Sequence, residues 1–121
     1  MLDETYTFDE ICHITIPEGL PETKTALKQV EFTVASVRAL GGRLIKFVHD
    51  ASLGTSRVRL RAEIRRLLRV MRKEGRIQLM IPGEDFSMAD TATRYLADKC
   101  PQVELDMDMD KKNEDITVIY L

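Results

Sequence analysis

The segment from residue 57 to residue 76 is the most chemically distinctive part of the chain, with nine Arg or Lys against two Glu. At 100° per residue, seven of these cations share one sector of a helix, beside its apolar stripe. They are Arg57, Arg61, Arg65, Arg69, Arg72, Lys73 and Arg76. Cations this close together repel one another unless an anion is near, and guanidinium groups suit bidentate contacts with phosphate. The pattern indicates either phosphate contact or pairing with the protein's own carboxylates.

The polar loop before this helix, residues 49–56, is a second candidate site. Gly54, Thr55 and Ser56 lie where the helix begins, and the free N–H groups of a helix N-terminus favour anions. His49 follows an apolar segment and could act as an acid, a base or a cation toward phosphate. The alternative is structural: Thr55 or Ser56 caps the helix, and His49 ends a strand.

A third candidate is the acidic segment 104–110, in which carboxylates alternate with apolar residues. A strand would place Glu104, Asp106, Asp108 and Asp110 on one face. Aligned carboxylates can hold Mg²⁺ or Mn²⁺ and support phosphodiester hydrolysis, so a divalent ion is the one cofactor considered. The alternatives are a charged edge strand and pairing with the arginine-rich helix, and no residue is assigned as a metal ligand.

The elements that must position these residues follow from apolar periodicity and from Pro and Gly. Short apolar runs predict strands at 11–16, 44–48, 77–81, 103–109 and 116–121. Helical spacing predicts helices over 22–40, 56–74 and from Ser87 to Pro101, the first two stopped by Gly41-Gly42 and Gly75. The order β-α-β-α-β-α-β-β predicts a single α/β domain with a mixed sheet and helices packed on it.

Length and composition restrict the class of protein. The chain has 121 residues, enough for one domain, and is 44% hydrophobic and 31% charged, as globular proteins are. It has no membrane-spanning run, no basic-then-apolar secretion signal and only two cysteines, so we expect a cytoplasmic protein without membrane contact. Residues 1–10 carry four carboxylates and no Lys or Arg, which predicts an acidic arm before a domain over 11–121.

Several short motifs together resemble the Smr (small MutS-related) domain, most closely the short stand-alone proteins of Firmicutes bacteria. Besides the arginine-rich helix, they are Leu44–Val48 with His49-Asp50 and a Gly-Thr-Ser turn, Glu18-Gly-Leu-Pro21, Ile81-Pro-Gly-Glu-Asp-Phe86, Cys100-Pro101, Asp106-x-Asp108, and Asn113 before Ile116-Thr-Val118. The likeness extends over most of the chain, from about Ile14 to Leu121. It implies an α/β domain that binds DNA or RNA and that, in several family members, nicks it.

The catalytic motif of that family is incomplete here. Its second-strand His-Gly survives only as His49, because Asp50 replaces the glycine, and Gly54 alone remains of the glycine-rich loop. Its first-strand motif keeps only Gly19. Fewer glycines restrict the approach of a phosphate to the backbone, and the carboxylate of Asp50 repels phosphate.

The resemblance therefore implies a DNA or RNA partner, with His49 as the catalytic residue if the domain nicks nucleic acid. Phosphate contacts are assigned to Gly54, Thr55, Ser56, Arg57, Arg61, Arg65, Arg69 and Arg72. Two other functions stay open. One is a non-catalytic module whose arginine helix binds acidic partners or the protein's own acidic tails, and a protein partner or self-association stays open with it. The other is a metal-dependent phosphoesterase that uses Asp106, Asp108 and Asp110.

Overall fold

A computed structural model describes residues 11–16, 23–49 and 55–121, with the side chains of all these residues except 16 and 55–57. In chain order the elements are β1 (Ile11–Ile16), α1 (Thr23–Ala39), β2 (Leu44–His49), α2 (Thr55–Lys73), β3 (Leu79–Pro82), α3 (Thr91–Lys99) and β4 (Ile116–Tyr120). Short 3₁₀ helices cover Gly83–Asp85 and Pro101–Leu105. None of the described helices is long and apolar enough to cross a lipid bilayer. The predicted α/β class with a mixed sheet is confirmed.

The four strands form one sheet in the order β1-β2-β4-β3. β1 is parallel to β2, whereas β4 is antiparallel to both of its neighbours, β2 and β3. The carboxyl ends of β1, β2 and β3 therefore lie along one side of the sheet, here called the carboxyl edge, where β4 begins. The connections β1–α1–β2 and β2–α2–β3 run in the same direction across the sheet. Because connections between parallel strands are right-handed, both helices lie on the same face.

Each face of the sheet carries its own apolar core. On the first face, α1 and α2 pack against Ile45, Phe47 and Ile119, and α2 contributes Ile64 and Leu68 from its apolar stripe. On the second face, the core is built from side chains of α3, the Pro101–Leu105 turn, β2, β3 and β4. Because β2 and β4 are central and covered on both faces, all five residues of β4 are buried.

Glycines end the two long helices, as predicted. Gly41 and Gly75 have φ of 88° and 78°, a left-handed conformation that glycine adopts without a steric penalty. The next residue in each case closes the final turn, with Gly42 donating to the carbonyl of Val37 and Arg76 to that of Met71, both at 2.8 Å. This is the bond that satisfies free carbonyls at a helix C-terminus.

The predicted strand at 103–109 is wrong: the chain there forms a 3₁₀ helix to Leu105 and then turns. The Asp106 carboxylate accepts a hydrogen bond from the backbone N–H of Asp108 at 2.8 Å. Such local bonding by Asp competes with strand pairing. The apolar residues divide accordingly, because Val103 is fully buried whereas Met107 is 77% exposed. The element order is therefore β-α-β-α-β-α-β.

α3 begins later than the sequence predicts. Its N-cap is Asp90, whose carboxylate accepts a hydrogen bond from the backbone N–H of Thr93 at 2.9 Å. Ser87, the predicted start, instead accepts from the N–H of Ala89 at 3.1 Å and forms a separate turn. Both residues are good caps, and the tertiary fold decides between them.

Candidate functional site

The predicted arginine face of α2 divides into two halves with opposite environments. Arg61 and Arg65, in the amino-terminal half, are directed at the carboxyl edge of the sheet, and their side chains are 13% and 7% exposed. Arg69 and Arg72, one and two turns further along, are exposed. The cations thus form one continuous face in a helical projection, but those of the first half are enclosed by the protein and those of the second half are exposed to solvent.

Arg65 lies at the centre of a hydrogen-bond network, here called the Arg65 network. Its two terminal nitrogens bind the two carboxylate oxygens of Glu84 at 3.0 Å each. Its Nε donates to Thr117 Oγ1 at 2.9 Å, and Nη2 also donates to the carbonyls of Ile116 at 2.9 Å and Glu114 at 3.1 Å. This use of the planar guanidinium fork is specific to arginine, because a lysine ammonium cannot make the paired contact.

Glu84 reaches Arg65 because the turn at Gly83–Asp85 packs directly against residues 113–115, here called the segment before β4. A side-chain carbon at Gly83 would overlap the carbonyl oxygen of Asn113 and lie 2.8 Å from that of Ile116. The approach of the two backbones therefore requires glycine. Sequence reasoning included this turn in the Ile81–Phe86 motif of the family resemblance, but it did not predict that Glu84 pairs with Arg65.

The Glu84 carboxylate is held in its charged form. Burial raises its pKa, but hydrogen bonds from Arg65 and from its own backbone, together with the charges of Arg65 and Arg61, lower it by more. The net result is a pKa below the ordinary value for glutamate. The carboxylate therefore neutralises cations that would otherwise repel one another on α2.

Arg61 is also bound within the protein. Its Nη1 donates to the carbonyl of Glu114 at 3.1 Å and lies 3.4 Å from a carboxylate oxygen of Asp115. A longer ion pair of 3.8 Å joins it to the Glu114 carboxylate. The segment before β4 therefore provides acceptors for both Arg61 and Arg65, as the self-pairing alternative predicted.

His49 lies at the carboxyl end of β2, as predicted, but it is enclosed. Its side chain is 2% exposed, and Nε2 is 2.8 Å from Thr117 Oγ1, the same hydroxyl that accepts from Arg65. Its backbone N–H donates to the carbonyl of Asp115 at 2.7 Å. A phosphodiester at the protein surface cannot contact a ring so enclosed, and His49 here connects β2 to the Arg65 network.

Part of the predicted loop site lies outside the described residues. This holds for Gly54 and for the side chains of Thr55, Ser56 and Arg57. The helix itself begins at Thr55, one residue from the predicted start. Anion binding at this helix N-terminus stays a prediction.

On the opposite face of the sheet, sequence reasoning missed a buried lysine. Lys46, in the middle of β2, is 1% exposed, and its Nζ lies 2.7 Å from a carboxylate oxygen of Asp106 and 2.7 Å from one of Asp108. Asn113 donates a further hydrogen bond to Asp108 at 3.1 Å. The sequence did contain a signal for this site, namely a single lysine inside an otherwise apolar strand. A charge buried in such a strand requires an acidic partner from elsewhere in the chain.

The charge of Lys46 controls the titration of Asp108. Burial raises the pKa of Asp108, but the hydrogen bonds from Lys46 and Asn113 and the positive charges of Lys46 and His13 lower it by more. The net pKa is below the ordinary value for aspartate. This group of residues, Lys46 with Asp106, Asp108 and Asn113, is called the Lys46 cluster below.

The acidic segment does not converge on a metal site. Asp106 and Asp108 bind Lys46, while Asp110 accepts a hydrogen bond from the backbone N–H of Met88 at 3.3 Å. Within residues 11–16, 23–49 and 55–121, no three His, Cys, Asp or Glu side chains are grouped so that they could hold a metal ion. The strand face on which the Mg²⁺ or Mn²⁺ hypothesis depended is not formed.

An open groove of about 630 Å³ lies between α2 and β3. The wall formed by α2 is cationic and consists of Arg69, Arg72 and Lys73. The opposite wall follows β3 and the turn after it and consists of Gln78, Met80, Pro82 and Asp85. This groove is called the α2–β3 groove below.

The cations of the groove are the exposed part of the arginine face. Arg72 donates from Nε to the carbonyl of Gln78 at 3.2 Å, which fixes the position of its guanidinium group. In the described part of the chain, Arg69, Arg72 and Lys73 form no ion pair with a carboxylate. Comparison of the chain with models of known protein families, with curated proteins and with solved structures finds no match.

Proposed function

We propose that the chain is an Smr-like nucleic-acid-binding domain of the bacterial cytoplasm, which holds backbone phosphates of DNA or RNA with exposed cations of α2. One observation carries this proposal. Arg69, Arg72 and Lys73 lie side by side at the surface, without a carboxylate partner among the described residues, along an open groove. Arginine is suited to phosphate because its planar donors match two phosphate oxygens, and such contacts supply most of the affinity for nucleic-acid backbone.

The exposed basic surface extends beyond the groove along the same helix. Arg59 is exposed, and Arg66 is 74% exposed in a solvent-facing ion pair of 3.4 Å with Glu63. Such a surface pair is weak and leaves the guanidinium available to an incoming phosphate. A helix of 19 residues is about 28 Å long, so these cations can follow several successive phosphates.

The proposed activity is binding, without hydrolysis. His49 is enclosed beneath the surface, and Arg61 and Arg65 donate to acceptors of the protein itself. Moving Arg65 onto a phosphate would break its paired contact with Glu84 and withdraw its donors from the buried Ile116 carbonyl and Thr117 hydroxyl, which costs more than a typical hydrogen bond returns. Nucleic-acid contacts are therefore assigned to the exposed basic surface.

Fluorescence anisotropy with short single- and double-stranded DNA and RNA, measured from low to near-physiological salt, tests this proposal. We expect affinity to fall steeply with salt. Arg69→Gln, Arg72→Gln and Lys73→Gln together should weaken binding and reduce the slope of log K against log salt. The slope should fall by about 0.9 for each phosphate of duplex DNA that the variant no longer binds, and by about 0.7 on single strands. Gel analysis of the probes should show them intact.

A matched control removes the same charge elsewhere, by Lys99→Gln, Lys111→Gln and Lys112→Gln, all at exposed residues. This control should retain the slope of the unmodified protein. An equal loss of affinity in both triple variants would contradict a defined surface on α2. Absence of binding even at low salt would contradict the proposal and favour an acidic protein partner for this helix.

A further inference from the structure

The α2–β3 groove has a feature that contact with phosphate alone does not require. Facing its cationic wall is the carboxylate of Asp85, which is exposed and forms no side-chain hydrogen bond or ion pair with another described residue. A carboxylate repels backbone phosphate. A ligand that fills this groove must therefore present negative charge to α2 and a hydrogen-bond donor to Asp85.

The other polar side chain on that wall, Gln78, also presents a hydrogen-bond acceptor to the groove. Gln78 donates one hydrogen of its Nε2 to the carbonyl of Leu121 at 3.1 Å, so this end of its amide is held by the protein. The oxygen of the amide and the carboxylate of Asp85 are both acceptors. Met80 and Pro82 complete the wall with apolar surface. The wall is thus suited to a flat, partly apolar group that carries hydrogen-bond donors.

A nucleotide combines these properties in one molecule. Its phosphate matches the cations of α2, its base offers an apolar face, and adenine, cytosine and guanine carry an exocyclic amino group. The groove volume of about 630 Å³ falls within the range of about 300 to 1,000 Å³ that is common for small-molecule sites. An acidic peptide offers backbone N–H donors to Asp85, but it fits less well because it lacks the flat apolar face that a base presents to Met80 and Pro82.

We infer that the α2–β3 groove binds one unpaired nucleotide of a single strand, with the phosphate on Arg69, Arg72 and Lys73 and the amino group of the base on Asp85. This inference rests on the proposed function, whose substrate class it names. A base in a duplex is stacked and paired, so it cannot enter the groove without leaving the helix, and the site therefore favours single strands. Thymine and uracil lack the amino group, and their one N–H donor on the pairing edge lies between two carbonyl oxygens that a carboxylate repels, so they are bound less tightly.

Anisotropy at pH 7.5 with single-stranded dC and dT 12-mers and a 12-base-pair duplex of mixed sequence tests the inference. We expect the dC strand to bind at least about fivefold more tightly than the dT strand, the effect of one hydrogen bond worth about 1 kcal/mol. Asp85→Asn should reduce this ratio to about one, because an amide offers a donor to thymine as readily as an acceptor to cytosine.

Asp98→Asn is the matched control, since it neutralises an exposed carboxylate on α3. It should leave the ratio of dC to dT affinity unchanged. Circular dichroism of each variant checks that it is folded. Salt-dependent binding with a ratio near one, or a ratio that Asp85→Asn leaves intact, would overturn the inference while the proposed function stands. Absence of binding to any strand at low salt would overturn both.

Discussion

The two halves of α2 carry the same cationic side chains but use them in opposite ways. At the amino-terminal half, Arg65 is buried and bound to Glu84 and Thr117, whereas Arg69, one turn later, is exposed beside a groove. The difference arises from what lies beneath each half. The first half covers the carboxyl edge, where the 83–85 turn and the segment before β4 supply acceptors. The second runs beside β3, an edge strand of the described sheet.

This contrast shows that arginine density along a helix does not by itself measure the cationic surface available to a ligand. A buried guanidinium is tolerated only when its donors are matched by acceptors, and the Arg65 network provides five such hydrogen bonds. Lys46 obeys the same rule on the opposite face, where Asp106 and Asp108 enclose it. The internal cations are structural, and only the exposed ones are accessible from solvent.

The largest expected effect comes from the most enclosed cation. Lys46→Met should lower the free energy of unfolding by about 3–5 kcal/mol, because it leaves the buried carboxylates of Asp106 and Asp108 without a counter-charge. Urea unfolding at pH 7 measures this effect. Adding Asp106→Asn and Asp108→Asn to the variant should recover part of the stability. A decrease below about 1 kcal/mol would mean that the cluster is not an internal charge pair.

A direct comparison of the two halves of α2 follows from Arg65→Gln and Arg69→Gln. The first should lower the free energy of unfolding by about 2–3 kcal/mol, less than for Lys46 because the Glu84 side chain is 41% exposed and partly solvated. The second should change it by less than about 0.5 kcal/mol. Chemical unfolding of both proteins under the same conditions provides the measurement.

Nucleic-acid binding should show the reverse order. Folded Arg65→Gln protein should keep the salt dependence of the unmodified protein, while Arg69→Gln should reduce it. Equal decreases in stability in the two variants, or weakened binding only in Arg65→Gln, would contradict the division of the helix into an internal and an exposed half.

The smallest effect concerns pH. The pKa values of Asp108 and Glu84 are lowered in the folded protein, so their contributions are fully present above the unfolded values near pH 4 and are lost as the pH falls through the folded ones. Stability from these groups should be constant between pH 7 and 5 and decline below about pH 4. The slope is at most about 1.4 kcal/mol per pH unit for each proton.

The Lys46→Met variant tests directly whether Lys46 causes the lowered pKa of Asp108. Without the lysine, burial of Asp108 favours its neutral form, so acid should narrow the stability gap between the variant and the unmodified protein. Unfolding of both proteins by urea at pH 7, 5, 4 and 3 measures the gap. A gap that stays constant or widens toward pH 3 would show that Lys46 does not hold the Asp108 carboxylate in its charged form.

Most elements were predictable because their local signals agree. The apolar stripe of α2, the glycines at its end and at the end of α1, and the β-branched run of β4 each point to one structure. The segment 103–109 misled because its alternating sequence is typical of a strand, whereas the chain there forms turns that bury Val103 and expose Met107. Aspartate is depleted in strands, and here its side chains bond locally or to Lys46 instead.

The sequence by itself determined the α/β class, the positions of the long helices and the placement of the cations on α2. Only the tertiary structure decided which cations are internal. Glu84 is 19 residues from Arg65, and Asp108 is 62 residues from Lys46, so neither pairing belongs to a local pattern. Arg65 and Glu84 meet because the 83–85 turn packs against the segment before β4 at the carboxyl edge, whereas Asp106 and Asp108 reach Lys46 from the turn after the Pro101–Leu105 helix, on the opposite face of the sheet. The low dielectric of the interior then requires that each enclosed charge be matched.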